Sequence, residues 1–195
     1  MIEPIPELAE RCRTTRPRSQ VICGAAVSPN SPDHIDFEVV EGWEALSSVS
    51  LKRDRFYDYQ PNVRTISVTA RTLDTMLEEA NPGQIDFLTI DVEGQEWQVL
   101  QGFTISRWQP EIVILERWGS VPDQRVMGYM HENNYIYKRT TGGLNDWFCR
   151  SGKEESNRIS YQLWLFLYLY VPAYTVRALK TGGKLLLNRP LSTKL

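Results

Sequence analysis

Histidine and cysteine are scarce in this chain. Two histidines, His34 and His131, and three cysteines, Cys12, Cys23 and Cys149, are spread over 195 residues. The histidines stand far apart, so a His-based metal site is not expected and no metal is assigned. The cysteines are odd in number and lack CxxC or other metal-type spacing. They are expected as reduced thiols of a cytosolic protein, not as a disulfide framework. An excess of either charge is also missing: 22 Lys and Arg stand against 24 Asp and Glu, for a formal net charge of −2. That balance offers no electrostatic case for nucleic acid as a partner. The first residues lack the basic start and apolar stretch of a secretory leader, which makes a cytoplasmic location the expectation. No internal repeat or low-complexity segment appears.

What is present suits one globular domain with a single core. Hydrophobic residues make up 42% of the chain and charged residues 24%, ordinary values for a folded protein of this length. Met1 and Ile2 lead into "EPIPELAERC", where Pro6 suits a first helical turn and residues 7–13 read as a short helix. "SQVICGAAVS" (19–28) reads as one buried strand, ended by Ser28, Pro29 and Asn30. "IDFEVV" (35–40) and "VRTISVTA" (63–70) alternate apolar and polar residues, as strands with one wet face do. Between them, 41–62 reads as a loop over a site.

Further on, "TLDTMLEEA" (72–80) is helical and closes at Asn81, Pro82 and Gly83. Residues 85–90 form a continuous apolar strand, 95–103 a helix, and "PEIVILE" (110–116) a second buried strand. A helix over 123–134 and the segments "YIYKRT" and "DWFCR", paired as a terminal antiparallel hairpin, complete the pattern. Buried strands alternating with helices predict an α/β fold with a mostly parallel sheet covered on both faces.

The tail differs from the rest. Residues 159–176, "ISYQLWLFLYLYVPAYTV", carry no ionised side chain and are flanked by Arg158 and Arg177. The length is at the lower limit of a membrane span. Pro172, the tyrosines and the basic residues that follow suit an interfacial segment better. Packing on the domain or a partner, peripheral membrane contact through 159–190, and spanning all stay open.

In an open α/β sheet, ligands bind beyond the carboxyl ends of the strands, and acids gather at three such ends. Glu3 closes the first strand, Asp91 follows "FLTI", and Glu116 ends "IVIL". An acid at Glu3's place can accept hydrogen bonds from ribose hydroxyls, or can simply be a solvated strand end. Asp91 and Glu93 are two apart, so in a strand they would point to the same side. Gly94 then lets the chain turn into the next helix. Such acids could take a proton from a substrate hydroxyl, or hold an ammonium group or a divalent cation. Capping the following helix is the other role open to them.

"RTLDTML", "IDFLTIDVEGQEWQVLQGF" and "PEIVILE" together resemble the FkbM family of S-adenosylmethionine-dependent methyltransferases. "IDVEG", followed by a helix ending in Leu-x-Gly, is the most distinctive block. "EPIPEL", "CGAAVS" and "NDWF" extend the resemblance over roughly residues 2–150, leaving 151–195 as an apolar and basic extension. The resemblance implies a class I methyltransferase, Rossmann-like sheet whose last strand is antiparallel. It implies S-adenosylmethionine as cofactor and methyl transfer to a hydroxyl of a sugar, glycan or natural-product scaffold. Carried over, Glu3 is the ribose-binding acid and Ala26 lies where the third strand's exit approaches adenine. Asp91 and Glu93 face cofactor and acceptor, and Glu116 joins them as a candidate catalytic acid.

The family's first strand and its glycine loop have no counterpart in these 195 residues. The domain is therefore expected to be incomplete, as an internal start of a longer protein or as a truncated, non-catalytic remnant serving as a binding module. A nicotinamide-dependent enzyme is disfavoured by the absent G-x-G-x-x-G and by the closing hairpin. For the acceptor, Trp43, Phe56, Tyr57 and Tyr59 could form an aromatic wall for a sugar ring, or pack over the core edge.

Overall fold

The computed structural model describes residues 1–51, 56 and 60–152, together with the backbone of 177–179. The alternating run of the middle sequence becomes its longest strand, β5 (Val63–Arg71). It pairs antiparallel with β4 (His34–Val40) from His34↔Thr69 to Val40↔Val63. The period of two puts Phe37, Val39 and Val68 into a small core with Ile5 and Ala25, while the intervening side chains face outward.

The run 19–28 is not the single buried strand expected. It forms two short strands, β2 (Ile22–Cys23) and β3 (Ala25–Ala26), separated by Gly24. β2 runs parallel to β1 (Ile2–Glu3), whereas β3 runs parallel to β5. The chain changes partner at Gly24, whose N–H donates to the Glu3 carbonyl at 3.1 Å. A Cβ at Gly24 would stand 2.8 Å from the Thr69 carbonyl oxygen, so the crossing needs a residue without a side chain.

α1 (Pro6–Thr15) starts on a proline, as its sequence requires. α2 (Leu73–Ala80) is capped by Thr72, whose side chain accepts from the Thr75 N–H, and closes at Asn81 in the left-handed conformation. The main core lies under β6 (Phe87–Ile90) and β7 (Ile112–Glu116), which pair in parallel. Leu88, Ile90, Val113 and Leu115 are buried there with Leu73 and Met76 of α2. α3 (Glu96–Gln101) adds Val99 and Leu100, α4 (Ile105–Trp108) adds Ile105, and α5 (Gln124–Glu132) adds Met130. Each such side chain contributes about 1.5–3 kcal/mol by leaving water.

β8 (Tyr135–Thr141) and β9 (Asn145–Arg150) form the expected antiparallel hairpin, with β9 against β7. On its other edge β6 pairs antiparallel with β10 (Arg177–Leu179), a strand from the tail. The larger sheet thus runs β10-β6-β7-β9-β8, and a three-stranded sheet runs β3-β5-β4.

The sheets are mixed, which corrects the mostly parallel arrangement expected. Among the described residues the parallel pairs are β1–β2, β3–β5 and β6–β7. Two of those pairs are only two residues long. The long strands β4 and β5 carry one wet face, the pattern of antiparallel pairing. Cys12, Cys23 and Cys149 are free thiols. No helix among the described residues is long and apolar enough to cross a membrane. Residues 159–176, and Tyr57 and Tyr59 of the expected aromatic wall, lie outside the described residues.

Candidate active site

The carboxyl ends of β1, β3 and β6 meet at one cavity of about 300 Å³, at the small end of the range for ligand pockets. Glu3, Ala26, Asp91 and Glu93, named at four separate places in the sequence, all line it. Ile5, Val27, Ile35 and Phe37 give it a largely apolar wall.

Glu3 is buried at 4% exposure, and its Oε1 accepts the Ile5 N–H at 3.0 Å. This fixes the carboxylate at the strand exit, as a wall group and not a solvated end. Ala26 closes β3 opposite Arg71. Its small side chain leaves the cavity open where the strand stops.

Asp91 and Glu93 reach the same cavity for a different reason from the one expected. β6 stops at Ile90, so they sit in a turn and strand alternation does not align them. Glu93 has φ +56 and Gly94 φ +94, and this pair of left-handed residues folds the chain back over the strand end. Trp43 is exposed at 59% and does not line the cavity, whereas its neighbours Glu44 and Ala45 do.

Glu116, at the end of β7, is outside the cavity lining but close behind it. One carboxylate oxygen each from Asp91, Glu93 and Glu116 lies within 4.8 Å of the others. Oxygens so spaced suit a cationic ligand group, and hard divalent cations also take such donors. Glu116 Oε2 accepts from the indole N–H of Trp118 at 2.9 Å, and the Trp118 ring packs on Gly94.

Helix capping is not what the acids before α3 are built for. The cap position is Gln95, whose side chain makes no cap bond. Glu96, the first residue of the helix, turns its carboxylate back instead. Its Oε1 accepts the N–H of Val92 at 3.2 Å and of Gly94 at 3.1 Å. Burial raises its pKa to about 7, with Glu116 adding to the rise and the backbone hydrogen bonds opposing it.

Neither Glu96 nor Trp118 stands among the sequence candidates. For Glu96 a signal existed: positions 96, 99 and 100 share one helix face, and Val99 and Leu100 are core residues. An acid on that face has to find partners. Trp118 follows the last buried strand by two residues, and no local pattern aims its ring at Gly94.

The acids thus converge on a cavity at the carboxyl ends of parallel-paired strands, the place where open α/β sheets bind their ligands. The family model of the methyltransferase FkbM domain matches residues 1–137. The chain belongs to the FkbM methyltransferase family. Curated proteins and solved structures return no match to it.

Proposed function

We propose that the protein is an S-adenosylmethionine-dependent O-methyltransferase acting on a hydroxyl of a sugar, glycan or natural-product scaffold. The observation that carries this reading is the meeting of Glu3, Ala26, Asp91 and Glu93 at a single cavity. The residues present fit the nucleoside end of the cofactor. Glu3 offers a buried carboxylate for ribose hydroxyls, and Ala26, Val27 and Ile35 offer an apolar surface for a flat base.

The cofactor would supply an activated methyl group, so the protein's task is chiefly alignment and proton management. Asp91 is the group assigned to accept the acceptor's hydroxyl proton. Glu93 and Glu116 surround it with negative charge. Carboxyl oxygens grouped in this way can receive a cationic group. A sulfonium and an α-ammonium are groups of that kind.

The test is a thermal melt of the intact chain with and without excess S-adenosylhomocysteine. Ligand at 100 times its Kd should stabilise the protein by about 2.7 kcal/mol. A cooperative melt indifferent to the compound would turn the assignment toward the non-catalytic binding module.

A further inference from the structure

Glu93 carries the turn's main strain. A non-glycine residue in the left-handed region is strained, and persists only where its surroundings over-determine it. The two N–H groups on either side of it, Val92 and Gly94, both end on one oxygen, Oε1 of Glu96. The carboxylate therefore clamps the strained residue from both sides.

We propose that Glu96 is a positioning residue, whose clamp on Val92 and Gly94 sets the direction in which Asp91 and Glu93 face the cavity. Glu96 does not line that cavity, so it acts through the turn and not on a ligand. Three features of the structure support the assignment. Glu96 is buried at 6% exposure on the core side of α3, and so has little freedom to release the turn. Gly94 removes the side chain that would be strained at φ +94, which lets its N–H point back to the helix. Trp118 closes the other side of the turn, its ring 3.5 Å from where a Gly94 Cβ would stand.

Glu116 of β7 acts on this carboxylate, and Asp91 and Glu93 lie on the turn that it holds. Burial above all, with Glu116 adding to it, opposes charge at Glu96, while the two N–H donors favour it. The strength of the clamp is therefore tied to the protonation of one side chain. It rests on the methyltransferase reading only for what the turn serves.

The test compares the intact chain with Glu96→Gln and Glu96→Ala by amide NMR and by S-adenosylhomocysteine binding. Glu96→Gln keeps a carbonyl oxygen in place and loses the titration. In the wild type, the Val92 and Gly94 amide protons should move together as pH crosses the neutral range. In Glu96→Gln they should stay hydrogen-bonded and stop moving. Glu96→Ala should release both amides and weaken S-adenosylhomocysteine by about tenfold or more, because the freed turn no longer fixes Asp91 and Glu93 toward the cavity. Glu96→Gln should stay close to the wild type.

Val92 and Gly94 amides indifferent to both substitutions would overturn the clamp. Unchanged ligand affinity in Glu96→Ala would overturn its positioning role. Failure of the wild type to bind S-adenosylhomocysteine would instead remove the functional reading, and the amide result would still decide the clamp.

Discussion

Gly102 packs against the carbonyl oxygen of Val27 so closely that a Cβ there would overlap it, with Thr72 crowding the same position. The Leu-x-Gly that ends α3 is therefore a packing requirement, joining the helix to the exit of β3 beside the cavity. Gly102→Ala should destabilise the fold by about 1–3 kcal/mol, the usual cost of overpacking. Urea unfolding reads this directly, and an unchanged midpoint would show that the two segments do not meet.

Asp91→Asn should leave the melt intact and lower methyl transfer by about 10²–10⁴-fold, the range for a lost general base. Turnover is the readout, with S-adenosylhomocysteine affinity as a control. Unaltered turnover would take Asp91 out of proton transfer.

Glu96 makes stability depend on pH in an unusual direction. Its folded pKa, about 7, lies above the ordinary 4.5, so between these values the folded state holds a proton that the unfolded state has released. Stability should then fall as pH rises through this window, with no loss below it and the full loss above it. The displacement corresponds to roughly 3 kcal/mol at most. Glu96→Gln should flatten the decline, and chemical denaturation at pH 5 and pH 8 measures the difference.

Asp74 ties α2 to the segment that carries α4. Its carboxylate accepts the Thr104 N–H at 2.8 Å and the Trp108 indole N–H at 2.8 Å, and also the Thr104 hydroxyl. Asp74→Ala should cost about 2 kcal/mol and leave S-adenosylhomocysteine affinity unchanged, since Asp74 does not line the cavity. A loss of affinity matching the loss of stability would argue that the cavity depends on this tie.

The stretch 159–190, apolar over 159–176 and basic beyond it, is expected to hold the intact chain on anionic vesicles in a salt-dependent way. Co-sedimentation measures it. A chain that stays in the supernatant at low salt would remove membrane contact from the account.

Much of the site is legible in the sequence, because acids at the ends of apolar strands have few reasons to be there. Glu3, Asp91, Glu93 and Glu116 stand out in that way, and the cavity gathers three of them with Ala26. Strand alternation is the wrong reason for the pairing of Asp91 and Glu93. Periodicity describes a regular element, and β6 ends one residue earlier. Residues 19–28 show the same limit: an apolar run does not reveal that its two halves pair with different strands on either side of Gly24.

Taken alone, the sequence determined the strands β6 and β7, the helix α2 with its stop at Asn81, the closing hairpin and the methyltransferase block, because each depends on neighbours within a few residues. The tertiary structure decided the mixed pairing of the sheets, the place of Arg177–Leu179 beside β6, and the clamp of Glu96 on its own turn. Those arrangements depend on which backbone groups and which buried charge find partners across the fold, and separation along the chain carries no record of that.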